Sequence, residues 1–439
     1  MTVNGVQHIF LLTFPLAGHY LPTLRLAARL AKDPAVTVSV ASSAVLAPKL
    51  KAAALPGVNV LALEDGLSEG EDLIRKSWRF SKMQVGPIVE AFWTAVEAHR
   101  STTKAVVLEF FLARAISSRI QGMPVFVFYP LSVNATLKAF VEGSRAGKFD
   151  ETFLLEALQC STGPGWVHDH ITDAAQLAVQ SDGILIDSFE DFELEDFVTL
   201  RSIPPFHNME VNGSKGITLG RVPVRLVGPL FSPAYLQGTS APTHSEGDQA
   251  VLDFLSEKGD DSVVYISFGS HAPVINEQMA EIAKALLKSD RPFIWGLRST
   301  EALPADFAAL TKDRGLVLSW APQHLILSHR ATGVFVTHAG WNSVLEAVGT
   351  GTPMVAWPLF GDQVFNADLV ARRNLGAVVG GAEIDMCRYP HEPARIVPCE
   401  EIRAAIGNVN EAMRDAAKDL AAKAWATASK IADEGLTLC

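Results

Sequence analysis

Short runs of β-branched and aromatic residues recur along the chain and alternate with longer stretches whose apolar residues fall at helical spacing. Such alternation predicts parallel β-sheets covered by helices, which is an α/β fold. In the first half, the predicted strands are residues 8–14, 36–41, 58–63, 105–111, 125–129, 183–189 and 224–230. In the second half, they are residues 262–268, 292–297, 315–319, 333–337, 354–357 and 377–379.

The alternation is interrupted at residues 231–247, which are rich in Pro, Ser, Thr and Gly and therefore predict a linker. On either side of it we expect a Rossmann-like, doubly wound domain, with the two domains facing each other across a cleft. The expected boundaries are 1–235 and 248–420. Residues 401–433 predict one long helix, and the last segment, 421–439, is expected to pack back on the first domain.

Composition narrows the classes of function. The chain has 439 residues, of which 48% are hydrophobic and 19% charged, so it can bury a large core. Its 37 basic and 48 acidic residues give a net charge of −11, which disfavours nucleic acid and anionic membranes as partners. No apolar run is long enough for a transmembrane helix, and the first run lacks the basic flank of a signal peptide. Four scattered cysteines suit a reducing cytoplasm; they are Cys160, Cys387, Cys399 and Cys439.

A glycine-containing turn, HAGWNS at 338–343, follows the predicted strand 333–337 and leads directly into a predicted helix. Free backbone N–H groups and the positive end of the helix dipole favour a phosphate at such a position. Asn342 and Ser343 could add side-chain donors, and His338 could add another donor or a charge. Taken alone, the turn is equally compatible with ordinary helix N-capping.

Residues 320–363, WAPQHLILSHRATGVFVTHAGWNSVLEAVGTGTPMVAWPLFGDQ, closely resemble the signature box of family 1 UDP-sugar glycosyltransferases, in the form found in plant enzymes that act on small molecules. Looser resemblance to the same family extends to the region around His19 and to residues 183–195, 227–230, 263–270 and 292–298. The resemblance implies a GT-B fold, with an N-terminal domain for the acceptor and a C-terminal domain for the UDP-sugar donor.

The resemblance also implies which residues bind the donor. Trp320 would stack on the uracil, Gln323 and Glu346 would hold the ribose, and Asp362 and Gln363 would hold the sugar, with residue types that suit those contacts. The diphosphate would be held around the glycine turn. The complete implied set is Ser270, Trp320, Ala321, Gln323, His338, Gly340, Trp341, Asn342, Ser343, Glu346, Asp362 and Gln363.

His19 follows the first predicted strand and lies at the start of a predicted helix, 21–31. There the helix dipole disfavours the imidazolium form, which is what a general base requires near neutral pH. A single histidine in a turn is more often a surface or capping residue. The resemblance favours the catalytic interpretation, because the family's general base is a histidine in this strand-to-helix turn.

Glu109 is the only charged residue in residues 105–113, AVVLEFFLA, and stands where the resembled family usually has an aspartate that pairs with the histidine. The alternative is a carboxylate stabilised by the dipole of the next helix, predicted to begin near Leu112. If Glu109 orients His19, its additional methylene must be accommodated by a shifted backbone or an altered His19 rotamer.

The reaction implied by the resemblance is direct displacement at the anomeric carbon with inversion, so that an α-linked UDP-sugar gives a β-glycoside. We expect no metal, because the chain has no Asp-x-Asp or His-rich element, and no cofactor besides the UDP-sugar. Trp341 and the terminal Gln363 of the box predict UDP-glucose as donor. The expected acceptor is small and largely apolar, that is phenolic, terpenoid or lipid-like, and the expected oligomeric state is a monomer.

Parts of the sequence are compatible with two other functions. Residues 66–70, GLSEG, match the GxSxG pattern of a serine hydrolase with Ser68 as nucleophile, but no HGGG-like oxyanion element accompanies it. A non-catalytic UDP-sugar binding protein would keep the donor box and lose the base. His19 is present, so only the unusual Glu109 keeps that alternative open.

Overall fold

The computed structural model describes residues 6–53, 55–64, 85–137, 178, 180–202, 222–231, 246–269, 274–381, 383, 395–434, 436 and 438. These residues form two compact units, each built on one parallel sheet. The first unit contains the described residues up to Leu230 and those from Thr427 onward, and the second contains Phe231–Ala426. The described C-terminal residues therefore belong to the same unit as the N-terminal strands.

In the described part of the first unit, parallel strands pair in the order β3-β2-β1-β4-β5-β6-β7. The strands are β1 (Gln7–Leu12), β2 (Val36–Ser43), β3 (Val58–Leu63), β4 (Thr103–Glu109), β5 (Val125–Tyr129), β6 (Gly183–Ile186) and β7 (Val224–Leu226). The helices between them are α1 (Ala17–Leu30), α2 (Ala47–Ala53), α3 (Val85–Glu97), a 3₁₀ helix (Phe110–Ser118), α4 (Val133–Leu137) and α5 (Glu190–Ser202). The strand order reverses between β1 and β4, which is where such sheets bind ligands.

The described sheet of the second unit has the order β10-β9-β8-β11-β12-β13. Its strands are β8 (Val263–Ser267), β9 (Phe293–Gly296), β10 (Gly315–Leu318), β11 (Thr332–Thr337), β12 (Met354–Ala356) and β13 (Gly376–Val378). The helices are α6 (Glu246–Ser256), α7 (Asn276–Leu287), α8 (Phe307–Thr311), α9 (Gln323–Ser328), α10 (Trp341–Thr350), α11 (Gln363–Arg372), α12 (Cys399–Gly407) and α13 (Glu411–Glu434). The strand order reverses between β8 and β11.

The central strands are buried on both faces, which explains why they are continuous apolar runs in the sequence. On one face of the first sheet, Leu11 and Val107 pack with apolar residues of α1. On the other face, Leu12 and Leu108 pack with apolar residues of α3. This two-sided core fixes the carboxyl ends of β1 and β4 next to each other, with Leu12 paired to Leu108 in the sheet register.

Every predicted strand overlaps an observed one, and the predicted α/β class is confirmed. The prediction of one continuous helix over residues 401–433 is wrong, because the structure divides it into α12 and α13. The Oδ1 atom of Asn410 accepts a hydrogen bond of 3.1 Å from the backbone N–H of Met413, which is the geometry of a helix N-cap. Val409 is buried between the two helices. None of the helices in the described ranges combines the length and apolar character needed to cross a membrane.

Candidate active site

His19 and Glu109 form a hydrogen-bonded pair at the carboxyl edge of the first sheet. Helix α1 starts at Ala17, so His19 lies in its first turn, and Glu109 is the last residue of β4. The Nδ1 atom of His19 is 2.9 Å from Oε1 of Glu109. Because β1 and β4 are adjacent parallel strands, residues that follow their carboxyl ends come together although they are 90 positions apart in the chain.

The pair fixes the chemistry of the imidazole. A carboxylate only accepts hydrogen bonds, so Nδ1 of His19 carries the ring proton and donates a hydrogen bond to Glu109. The other ring nitrogen, Nε2, is therefore the acceptor. The Glu109 residue is 1% exposed, whereas 16% of the His19 side chain is exposed. The second carboxylate oxygen, Oε2, is buried and has no hydrogen-bond partner within the described ranges. His19 is thus the principal partner of this buried carboxylate and retains access to solvent.

Glu109 precedes the 3₁₀ helix but makes no side-chain capping bond to it, so its carboxylate is directed to His19 instead. The additional methylene relative to aspartate is accommodated with an ordinary hydrogen-bond length. Three phenylalanines surround the imidazole. Their ring centroids lie 5.4 Å (Phe14), 6.0 Å (Phe110) and 5.0 Å (Phe111) from that of His19.

In the second unit, the turn from β11 to α10 has an unusual backbone. Ala339 adopts φ +59°, in the left-handed region that residues with a β-carbon rarely occupy, and it is buried. Its N–H donates to Oγ1 of Thr337 at 3.3 Å, and its carbonyl accepts from Nδ2 of Asn366 at 2.9 Å. Asn366 is itself fully buried, so it holds the strained turn in place from α11.

The imidazole of His338 lies between two glycines. A β-carbon built on Gly269 would lie 2.7 Å from Cε1 of His338, and one built on Gly340 would lie 2.5 Å from its Nε2. Both distances are far below van der Waals contact, so neither position tolerates a side chain while the ring stays in place. Gly340 is also the N-cap of α10, whose first residues carry Asn342 and Ser343. The turn therefore positions His338 beside the first residues of the helix.

A chain of hydrogen bonds links the residues implied to hold the ribose. Burial raises the pKa of the Tyr265 hydroxyl above its ordinary value, so the phenol stays protonated, and it donates to Oε1 of Gln323 at 3.2 Å. Nε2 of Gln323 donates to Oε2 of Glu346 at 2.7 Å and approaches Oγ of Ser343 at 3.3 Å. Trp320, three residues before Gln323, is 80% exposed, which makes its indole face available for stacking.

Gln363 is 4% exposed and has a fixed carboxamide. Its Oε1 accepts hydrogen bonds from the backbone N–H groups of Leu359 at 2.9 Å and Phe360 at 3.1 Å. The carboxamide oxygen therefore already accepts two hydrogen bonds, and the NH₂ group of Gln363 is the donor that the side chain offers. Next to it, Oδ2 of Asp362 accepts from Nδ2 of Asn366 at 2.8 Å.

The remaining predicted residues divide into two groups. Ala321 is half-buried beside Gly296, and Trp341 is buried at the first position of α10. Ser270 of the donor set and Ser68 of the hydrolase alternative lie outside the described residues. The structure thus brings the described residues of the predicted donor set onto the loops that follow the strands of one sheet and onto the helices after those loops.

Comparison with known proteins identifies the family of the chain. Residues 228–388 match the family model described as UDP-glucoronosyl and UDP-glucosyl transferase. The chain is 30% identical over 421 residues to UDP-glycosyltransferase 72E2 of Arabidopsis thaliana, covering 83% of this chain and 81% of that protein. This chain belongs to the UDP-glycosyltransferase family. It is also 36% identical over 219 residues to cinnamate beta-D-glucosyltransferase of Fragaria ananassa, covering 48% of this chain and 38% of that enzyme.

The fold comparison gives the same architecture. The UDP-glucose complex of UGT71G1 from Medicago truncatula superposes with a TM-score of 0.75 at 21% identity, covering 98% of this chain and 99% of that one. The predicted family, its GT-B fold and the enzyme class are therefore confirmed, and a UDP-sugar is the glycosyltransferase's co-substrate.

Three residues of the glycosyltransferase's site were missed by the sequence analysis. Asn366 supports the turn, Tyr265 orients Gln323, and Gly269 makes room for His338. Only Gly269 left a signal, as a glycine directly after the predicted strand 262–268. Asn366 and Tyr265 act through contacts between separate elements, which the local sequence pattern does not contain.

Proposed function

We propose that this glycosyltransferase transfers glucose from UDP-glucose to a hydroxyl group of a small, largely apolar acceptor, with inversion of configuration and with His19 as general base. The observation that carries the proposal is the 2.9 Å contact between Nδ1 of His19 and the buried Glu109, in a chain that also has the complete donor box. The proposal assigns the base to the first unit and the donor to the second.

In the proposed reaction, Nε2 of His19 removes the proton of the acceptor hydroxyl while its oxygen attacks the anomeric carbon of the sugar. The bond between that carbon and the UDP oxygen breaks on the opposite face, so an α-linked donor gives a β-glycoside. The proton remains on the imidazole, which becomes an imidazolium. The carboxylate of Glu109 stabilises that cation through the hydrogen bond to Nδ1, which lowers the barrier to proton transfer.

We assign the leaving diphosphate to the start of α10, where backbone N–H groups, Asn342, Ser343 and His338 supply donors. These groups compensate the charge that develops on UDP, so the proposed reaction needs no divalent ion. The exposed Trp320 would stack on the uracil. A free buried thiol at Cys399 and the scattered cysteines support a reducing, cytoplasmic location.

Glucose is the proposed sugar because Gln363 presents an NH₂ donor that a hydroxyl in the correct position can accept. The amide oxygen is held by two backbone N–H groups, so the side chain cannot turn to serve an epimer. An epimer that misplaces that hydroxyl would leave the buried amide unpaired, at a cost of about 1–3 kcal/mol. The named glucosyltransferase relative and the UDP-glucose complex of the fold relative support the same sugar.

The test is a transfer assay with five UDP-sugars against a panel of phenols, terpenoid alcohols and lipids, in the presence and absence of a chelator. We expect UDP-glucose among the two best donors, a β-glucoside by NMR, and no effect of the chelator. An α-glucoside would contradict the inverting mechanism. Activity that is lost on chelation and restored by magnesium would contradict the metal-free donor site.

A further inference from the structure

Phe110 is the residue that follows Glu109, and its ring packs against the imidazole of His19 with nearly parallel planes. The two ring centroids are 6.0 Å apart and the interplanar angle is 27°. The other two phenylalanines approach His19 edge-on, at 66° for Phe14 and 76° for Phe111. Phe110 therefore differs from its neighbours in presenting a parallel ring to the imidazole.

The ring of Phe110 is itself held firmly. It stacks on Tyr129 with a centroid distance of 5.1 Å and an angle of 19°, and it contacts Phe111 at 4.4 Å. Phe110 is only 7% exposed and lies in an apolar cluster with residues of β5 and β6. Burial, and then the negative charge of Glu109, raise the pKa of Tyr129, so this supporting ring stays uncharged.

On these grounds we propose that Phe110 is a positioning residue for His19, which holds the plane of the imidazole so that Nδ1 stays on Glu109 and Nε2 stays available to the acceptor. Glu109 alone fixes one atom of the ring and leaves rotation about the hydrogen bond open. The nearly parallel ring of Phe110 restricts that rotation, together with the edge-on rings of Phe14 and Phe111. The inference rests on the proposed role of His19 as base.

The same contact favours the step in which the base becomes charged. An aromatic face attracts a cation, and the effect is larger where water is excluded. This attraction stabilises the neutral imidazole little and stabilises the imidazolium that forms in the transition state more. Phe110 should therefore affect kcat and leave KM for UDP-glucose and for the acceptor nearly unchanged.

The experiment compares Phe110→Leu with Phe110→Tyr and with the matched control Phe126→Leu, assayed with UDP-glucose and 4-nitrophenol or the best acceptor of the panel above. Phe126 is a buried core residue on β5 in a separate cluster, and its partner on β4 is Val107 and not Glu109, so its replacement reports the cost of a cavity. We expect Phe110→Leu to lower kcat by about 3- to 30-fold, the range for a desolvated cation–π contact, with KM within about twofold. Phe110→Tyr and Phe126→Leu should keep kcat within about threefold of wild type.

The deciding comparison is made in a His19→Ala background. Because Phe110 acts through the imidazole, Phe110→Leu should change the residual rate by less than about twofold there. An equal loss in both backgrounds, or unchanged kcat in folded Phe110→Leu, would overturn the inference and leave the proposed function standing. Should Phe110→Leu have a lowered Tm, Phe110→Met provides the same test with a longer, more flexible side chain that adapts to the space left by the ring. No turnover by wild type with any acceptor would instead contradict the proposed function itself, and the inference with it.

Discussion

At the scale of single residues, glutamate stands at position 109 where the family resemblance led us to expect aspartate. The longer side chain still forms the hydrogen bond to His19. Glu109 is the last residue of β4, and His19 lies after the adjacent strand β1. The longer side chain of glutamate reaches Nδ1 of His19 at an ordinary hydrogen-bond distance. Its buried Oε2 has no partner within the described ranges, so the hydrogen bond to His19 is what stabilises the carboxylate there. The separation between the end of β4 and His19 is therefore matched to the length of a glutamate side chain.

This fit gives a prediction for two variants of Glu109. Glu109→Gln keeps the shape and removes the charge, so the imidazolium loses its stabilising partner and kcat should fall by about 10- to 100-fold. Glu109→Asp withdraws the carboxylate from Nδ1 and should also be impaired. Both are measured as kcat at saturating UDP-glucose, with UDP affinity by calorimetry as a control that should not change. Unchanged turnover in folded Glu109→Gln would show that His19 acts without this partner.

At the scale of elements, the turn between β11 and α10 needs glycine where a β-carbon would collide with the side chain of His338. Gly340 has an ordinary backbone conformation, so it is needed only because a β-carbon would collide with His338. Gly340→Ala should displace that ring or the helix start, and a displacement of about 1 Å at such a site weakens function by roughly 100-fold. We therefore expect UDP to bind about 10- to 100-fold more weakly by calorimetry.

The matched control for Gly340→Ala is Gly259→Ala, in the same unit, where a β-carbon would meet open space. UDP affinity should be unchanged in that variant. Equal affinity in Gly340→Ala and wild type, with both folded, would show that His338 can move aside and that the turn is not rigid.

The elements themselves could be predicted from the sequence, because strands buried on both faces are continuous apolar runs and the helices between them have their own period. The break between α12 and α13 also had a signal, which the prediction of one helix overlooked, because residues 407–410, GNVN, contain poor helix formers and Asn410 is a favoured N-cap residue. By contrast, the bond from Asn366 to the carbonyl of Ala339 depends on how α11 packs against the turn, which the local pattern does not contain.

The site was predictable to a different degree. His19 followed from its place after the first strand together with the family resemblance, and Glu109 from the resemblance alone. The resemblance implied that Gln363 would hold the sugar, and the structure adds that backbone N–H groups occupy its carbonyl oxygen, which leaves the NH₂ group as the donor. That detail needs the loop before α11 to be folded, and no residue type in the box indicates it.

At the scale of the whole molecule, buried carboxyl groups make stability depend on pH. Glu193 accepts hydrogen bonds from the backbone N–H groups of Val133 and Asn134 and from Ser188, yet burial raises its pKa to about 7. Burial likewise raises the pKa of Asp187 to about 6. The folded state therefore binds these protons more tightly than the unfolded chain does.

Between the ordinary pKa of a glutamate and about 7, the folded protein holds more protons at Glu193, so the free energy of unfolding should fall as the pH rises through that window. A shift of this size corresponds to about 3–4 kcal/mol. Burial lowers the pKa of His8 to about 4. The folded protein therefore holds fewer protons at His8 than the unfolded chain, and this contribution to the free energy of unfolding is lost as the pH falls. Comparison of wild type with Glu193→Gln in urea at several pH values isolates the glutamate. An identical pH dependence in both proteins would contradict this assignment.

The central claim, that His19 deprotonates the acceptor in a UDP-glucose-dependent transfer, is tested most directly by the kcat of His19→Ala with UDP-glucose and the best acceptor. The account predicts a loss of about 10²- to 10⁴-fold, the usual share of general base catalysis, with UDP affinity unchanged because the proposed donor residues lie in the other unit. Near wild-type turnover in the folded variant would contradict it.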